Sequence, residues 1–412
     1  MEIDLQRTIL ALSDALDFVG VDEVHHGKRV ALMAAGIARA LAWEDRRIGD
    51  LVYAGVLHDC GVSRQQEHRA LTATLEWDGA QAHCLRGEQF LLACPPLARF
   101  APIVRWHHTR WEDLPHEGLS ARDRTAANLV HLADRTDVLL APYILEDGLR
   151  NDILWEHDAI VARIAALSGT LFAPDLVAAF RHVAATEAFW LCLDPGYVDA
   201  ELEDRLHGAH PVPLSTRDAL AVARLFARTV DAKSSYTLEH STGIARIARY
   251  LGEAAGIAGE ALDKLEIAAL LHDIGKLRVP EEIIDKPGPL TREERAIVTR
   301  HSYDTGHILR KVFPDEAIPA WAAMHHENLL GTGYPSRSPA ADIPQEARLI
   351  TVADIFQALA QARPYRAPLG PEAIMAHLDL LRAQGRVDAG MVELARTHLA
   401  RCYALANGTA TA

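Results

Sequence analysis

Residues 262–276 read Leu-Asp-Lys-Leu-Glu-Ile-Ala-Ala-Leu-Leu-His-Asp-Ile-Gly-Lys. The spacing predicts an apolar helix over Leu262–Leu271. It runs into His272 and Asp273, and Gly275 and Lys276 follow. Working outward, His240 opens a segment with Ile244, Ile247, Ala248 and Leu251 at helical spacing. Pro287-Gly288-Pro289-Leu290 reads as a loop, and Thr291-Arg-Glu-Glu294 as a capping box that starts the helix carrying His301. His325-His326 follow Trp321-Ala-Ala-Met324, and Asp354 follows Arg348-Leu-Ile-Thr-Val-Ala353, an apolar run expected to be buried. Residues 331–342 are rich in Gly, Pro and Ser and read as a loop. Alternating strand patterns are few, so the expectation is an all-α chain.

Taken singly, any of these His or Asp residues reads as a polar group at a helix end. The ordered set of five histidines and two aspartates, punctuated by glycine, reads as chemistry. Imidazole and carboxylate are the ligands that suit iron, manganese or zinc. Seven such groups can hold two metals with one carboxylate between them, an arrangement that activates water and clamps a phosphate.

His272-Asp273-Ile274-Gly275-Lys276 resembles the signature of the HD phosphohydrolase superfamily. His325-His326-Glu327 followed by Gly331-Thr332-Gly333-Tyr334-Pro335 resembles the segment that names its HD-GYP family. Lys286-Pro287-Gly288, Ala353-Asp354 and Arg363-Pro364-Tyr365-Arg366 match in order, and the resemblance spans roughly 231–399. It implies one metal on His240, His272, Asp273 and Asp354, and a second on Asp273, His301, His325 and His326, with iron or manganese as the ions. It places Lys276 beside the phosphate, Arg363 and Arg366 on substrate phosphates, and Gly333, Tyr334 and Pro335 at the substrate rim. Without the resemblance, Arg363 and Arg366 read as a solvated loop. The implied reaction is hydrolysis of a 3′–5′ phosphodiester in a cyclic dinucleotide, cyclic di-GMP or 3′3′-cyclic GMP–AMP. The products are a linear dinucleotide and, after a second cut, mononucleotides.

Three positions depart from the family pattern. Leu330 stands where an aspartate is usual, Gln357 where a second carboxylate often follows Asp354, and Tyr236, with Glu239 nearby, where some members carry a third-metal glutamate. Two metals are therefore expected rather than three. Leu330 and Gln357 also motivate a competing reading, a non-catalytic cyclic-dinucleotide receptor. A phosphatase acting on mononucleotides is a third, against which Arg363 and Arg366 weigh.

The first half repeats the order with His26, His58-Asp59, His83, His107-His108 and Asp134. The first histidine and the His-Asp pair are 32 positions apart in both halves, and the third histidine and the double histidine 24 apart in both. The two other gaps are 25 against 29 and 27 against 29, as loop shortening between shared helices would give. Gly61 matches Gly275, and Gly87 lies in the His83 helix much as Gly306 lies in the His301 helix. Val62 replaces Lys276, Thr109 to Pro115 contains no Gly-Tyr-Pro, and Ala141-Pro142-Tyr143 is only a partial echo of the arginine segment. This half reads as a metal-bound regulatory or dimerising domain, as a relic with ordinary hydrogen bonds, or as a second site for a smaller phosphoester. The first of these is the expectation.

The whole chain fits this plan. Its 412 residues suggest two domains. Asp194-Pro195-Gly196 and the proline-rich 209–216 bracket the boundary, giving an altered HD domain at 1–208 and a catalytic HD-GYP domain at 209–412. A formal net charge of −14 argues against a nucleic-acid polymer as partner. It leaves the cyclic dinucleotide, a second copy of the chain or a signalling protein. The five scattered cysteines read as reduced thiols, and no targeting or membrane segment is found, so a cytoplasmic location is expected.

Overall fold

The computed structural model describes residues 3–17, 25–62, 64–145, 148–206, 213–233, 239–314, 317–362 and 366–409. The chain divides into two compact units, one of Asp4–Val212 and one of Pro213–Ala412 with Met1–Ile3. Each is built around five helices in the same order.

In the N-terminal unit these are α1 (His26–Ala40), α2 (Asp45–Leu57), α3 (Gln81–Leu92), α4 (Ala101–Trp106) and α5 (Ala121–Leu140). Helix α1 is rich in alanine and buries Val30, Leu32, Met33 and Ile37, which lets it pack closely against α2 and α5. Helix α4 lies between α3 and α5. Ser120 caps α5 by accepting the Asp123 N–H at 3.0 Å. Helices Leu5–Asp17, Gln65–Ala73, Ile153–Ala165, Pro174–Val183, Glu187–Leu191 and Val198–Leu206 surround these five, with Phe100, Phe172, Phe180 and Trp190 buried.

The C-terminal unit repeats the plan with α6 (His240–Ala254), α7 (Glu260–Leu271), α8 (Arg292–Val312), α9 (Ile318–Ala323) and α10 (Gln345–Ala360). Helix α6 packs on α7 and α10, and α9 touches α7, α8 and α10. The capping box at Thr291 and Glu294 is formed, with both reciprocal bonds present. Helix Thr216–Asp231 packs against α7, and Pro371–Ala383, Ala389–Thr397 and Leu399–Ala406 pack against α10. The chain is all-α as expected. The described strands are the two-residue pieces Ile144–Leu145 and Gly148–Leu149, paired antiparallel.

One contact recurs in both units and sets the site. A Cβ on Gly275 would lie 2.2 Å from the His301 carbonyl oxygen, and one on Gly61 would lie 2.1 Å from that of His83. The turn after each His-Asp pair is thus pressed against the backbone of the helix carrying the third histidine. Only glycine permits that approach. Gly275→Ala is therefore expected to destabilise the protein by about 1–3 kcal/mol, read as a lower denaturant midpoint. An unchanged midpoint would show that turn and helix separate without cost.

Candidate metal centres

The C-terminal ligands arrive from five elements. His240 opens α6, His272 and Asp273 follow α7, His301 lies within α8, His325 and His326 follow α9, and Asp354 lies within α10. The Asp273 carboxylate stands between two sets of imidazoles. Its Oδ2 is 3.2 Å from His272 Nε2 and is also bonded by Lys276 Nζ. Its Oδ1 is 3.3 Å from His301 Nε2 and 3.6 Å from His325 Nε2. Asp354 Oδ1 is 3.4 Å from His240 Nε2. The ligand atoms of His240, His272 and Asp273 lie within 4.8 Å of one another, as do those of His301, His325 and His326.

Backbone carbonyls one turn back orient the rings. His272 Nδ1 donates to Ala269 O at 2.8 Å and His325 Nδ1 to Ala322 O at 2.7 Å, and His301 Nδ1 bonds Val298 O in the same i−3 pattern. That leaves each Nε2 lone pair facing the cluster. His272 Nε2 and Asp273 Oδ1 are buried and without a hydrogen-bond partner, so the donor set fits a divalent cation. Burial opposes a charge on His272, but the adjacent Asp273 raises its proton affinity, so a proton competes with a cation for this ring. Burial would raise the Asp273 carboxyl, but the charges of His272 and Lys276 hold it well below the usual carboxylate range. Burial, with the nearby His301, pushes His326 down to about 3, so this ring is neutral and ready to ligate.

The Gly-Tyr-Pro segment is fastened to the same residues. Glu327, next to the double histidine, accepts the Ser336 N–H at 2.7 Å and the Ser338 N–H at 3.1 Å. Asn328 Oδ1 accepts the Leu330 and Thr332 N–H groups, each at 3.1 Å. A Cβ on Gly333 would fall 2.5 Å from Glu327 Cα, which explains the glycine there. The Tyr334 ring lies 4.7 Å from the His326 ring, and Pro335 follows it. Leu330 is exposed and Gln357 is buried, where its Nε2 donates to Ala406 O at 3.1 Å. Arg366 donates to Ala358 O in α10. Arg363 and Tyr236 lie outside the described residues, and Glu239 faces Arg246 at 3.8 Å.

The N-terminal unit brings its seven residues together in the same way. Asp59 Oδ2 is 3.4 Å from His58 Nε2 and 3.8 Å from His26 Nε2, while its Oδ1 is 3.3 Å from His83 Nε2 and 3.7 Å from His107 Nε2. Asp134 Oδ1 is 3.5 Å from His26 Nε2, and its Oδ2 is 3.7 Å from His108 Nε2. His58 Nδ1 bonds Gly55 O and His107 Nδ1 bonds Val104 O, both at 2.7 Å. Asp59 Oδ1 is buried and unpartnered, as Asp273 Oδ1 is. This donor set also fits a divalent cation.

The surroundings of the two clusters differ, and sequence reading missed most of this. His26 Nδ1 bonds Asp137 Oδ2 at 2.7 Å, and Arg29 forks the same carboxylate at 2.6 and 2.8 Å. Asp137 is the third residue after Asp134, so the test that found Gln357 in the second half would have found it. In the C-terminal unit His240 Nδ1 faces Gln361 Oε1 at 3.0 Å instead. Arg135 forks Asp134 at 3.1 and 2.7 Å and also donates to Leu71 O and Thr74 O at 2.8 and 2.9 Å. Cys84 takes the place of Ser302, with its Sγ 3.7 Å from His83 Nε2 and from His107 Nδ1. Val62, where Lys276 would be, is buried. No local pattern marks Arg135 or Cys84.

HD-domain family models match residues 222–391 and 24–139. The chain is 36% identical over 398 residues to the 3′3′-cGAMP-specific phosphodiesterase 1 of Vibrio cholerae, covering 95% of this chain and 91% of that one. It is 34% identical over 165 residues to the cyclic di-GMP phosphodiesterase response regulator RpfG of Xanthomonas campestris, covering 39% of this chain and 43% of that one. The crystal structure of a cyclic GMP–AMP-specific phosphodiesterase of V. cholerae, V-cGAP3, superposes with a TM-score of 0.63 over 98% of both chains at 23% identity, which shows a shared fold. With two HD units, a Gly-Tyr-Pro segment locked to the double histidine, and a relative matched along nearly its full length, the chain belongs to the HD-GYP family of cyclic-dinucleotide phosphodiesterases.

Proposed function

We propose that the C-terminal unit hydrolyses a cyclic dinucleotide, with 3′3′-cyclic GMP–AMP preferred over cyclic di-GMP, and that the N-terminal unit is a metal-bound regulatory domain. One observation carries the catalytic assignment. Asp273 faces a separate set of imidazoles with each oxygen and has Lys276 bonded to it. The N-terminal cluster has the carboxylate and imidazoles but Val62 in place of the lysine. The base preference rests on the near full-length match to a relative named for 3′3′-cGAMP, against partial matches to relatives named for cyclic di-GMP.

His240, His272, Asp273 and Asp354 would hold one metal, and Asp273, His301, His325 and His326 the other, with iron or manganese suited to these ligands. Two such ions supply Lewis acidity to the phosphodiester and lower the pKa of the attacking water. The chain's own residues do the rest. Lys276 sets a cation against the charge that builds on the phosphoryl oxygens. The Tyr334 ring, held against His326 by the Glu327 and Asn328 clasps, forms the rim on which a base can stack, with Gly333 and Pro335 shaping it. Arg363 and Arg366 are suited to the second phosphate. Water adds at phosphorus and the 3′ oxygen leaves, giving a linear dinucleotide. His26, His58, Asp59 and Asp134, and Asp59, His83, His107 and His108, would hold the N-terminal ions.

Replacing His272 and Asp273 together with alanine is expected to abolish hydrolysis and to remove about two metals per chain by elemental analysis. Unchanged turnover would overturn the assignment. His58→Ala with Asp59→Ala is expected to lower the metal count while leaving hydrolysis measurable. Loss of all hydrolysis with the C-terminal metals retained would make the N-terminal centre catalytic. Lys276→Ala is expected to cut kcat by about 10²–10³ at an unchanged metal content; a fall in metal content instead would make Lys276 structural. In a hydrolysis panel with Mn(II) or Fe(II), 3′3′-cyclic GMP–AMP is expected to be consumed faster than cyclic di-GMP or cyclic di-AMP. Faster turnover of cyclic di-GMP would overturn the base preference.

A further inference from the structure

On the N-terminal unit the first turns of α2 and α5 and the approach to α4 border a cavity of about 260 Å³. Its lining includes Trp43, Arg47, Asp50, Arg99, Phe100 and Arg122. The chain's formal net charge is −14, yet three guanidinium groups gather here. Two share one carboxylate: Arg99 Nε is 3.2 Å from Asp50 Oδ1, and Arg122 Nη2 is 2.9 Å from Asp50 Oδ2. The other acid in the lining, Asp123, is engaged by the Ser120 hydroxyl at 2.7 Å. Arg47 lies over the Trp43 ring, its Cζ 3.3 Å from the centroid. Its Nε is buried and has no hydrogen-bond partner. Burial, and then the charge of Arg122, depress the proton affinity of Arg47, a tension that a bound anion would relieve.

The chemistry of the lining selects the ligand. Guanidinium forks match the oxygens of a phosphate, and the Arg47–Trp43 stack offers a planar neighbour for a base. The cavity is smaller than the roughly 300–1,000 Å³ that encloses drug-sized ligands, so it encloses a phosphate with the adjoining part of a mononucleotide, and not a whole cyclic dinucleotide. It is also distinct from the metal cluster. Arg47 precedes His58 by 11 residues and Arg122 precedes Asp134 by 12, which at helical rise is roughly 16–18 Å. The same elements deliver both sites, since α2 leads to His58 and Asp59, α4 to His107 and His108, and α5 carries Asp134.

We propose that this cavity is a binding site for a phosphomonoester of mononucleotide size, separate from both metal clusters. The test is calorimetric titration of the full-length, metal-loaded protein with GMP, with guanosine and with inorganic phosphate. One GMP per chain is expected, with guanosine silent and phosphate weaker. Arg47→Ala combined with Arg122→Ala is expected to weaken GMP at least tenfold, while Asp59→Asn and Asp273→Asn each retain it. Should the double variant fold poorly, Arg47→Lys keeps the charge, removes the fork and is expected to weaken GMP several-fold. Undiminished GMP binding in the arginine variants would overturn the proposal. So would binding that disappears with either aspartate variant, because the phosphate would then sit on the metals, or binding of guanosine equal to that of GMP.

Discussion

The structure depends on a buried carboxylate with two faces. A lone ionised aspartate in an apolar interior is costly, and it persists only where cations and hydrogen bonds surround it. Asp273 meets part of that demand with Lys276, and around both aspartates the imidazole Nε2 atoms would leave the rest to a bound divalent cation. The ligands come from both ends and the middle of five helices, so the helices must converge on that point. Close approach at Gly275 and Gly61 follows from the same requirement. So does the use of helix-end carbonyls to hold the Nδ1 side of the rings, which frees Nε2 for the cluster.

The two units share this constraint and resolve the remaining electrostatics differently. The C-terminal unit places its cation on a turn beside the cluster, partly exposed, where it can meet a substrate. The N-terminal unit places buried cations in its walls. Arg29 locks Asp137 under His26, and Arg135 locks Asp134 while tying down the chain at Leu71 and Thr74. Carboxylate behind a ligating histidine strengthens and orients it, whereas Gln361 behind His240 is a neutral partner. Thr305 clamps the Gly275 turn by accepting from Gly275 N and donating to His272 O; Gly87 stands at its position in the N-terminal unit, one residue before the place of Gly306 with which the sequence compares it. One copy surrounds its cluster with buried cations and the other leaves a partly exposed lysine beside it.

Function is set as much by what is fastened to the ligands as by the ligands. The rim segment of the C-terminal unit is clasped by Glu327 and Asn328, immediate neighbours of His326. Its position is thereby coupled to that of a metal-facing ring through a few covalent bonds. Among the described residues of the N-terminal unit, no side chain next to His108 clasps the following segment in this way. Among the described residues no helix is long and apolar enough to cross a membrane.

The helical class, the two copies and the seven candidate ligands of each were legible in the chain alone. Those follow from local information: apolar period, capping residues, and equal intervals of 32 and 24 between like residues. Even the glycine after each His-Asp pair was legible as punctuation, though not as the point where two backbones touch. Which partners stand behind those ligands emerges with the folded units. Asp137 and Arg29 are over a hundred residues apart, Arg135 reaches back more than sixty, and Trp43, Arg47, Arg99 and Arg122 meet from three separate segments. The physical reason is that ligation and helix formation select residue types at short range, whereas charge compensation in a packed interior selects whichever group the fold brings near.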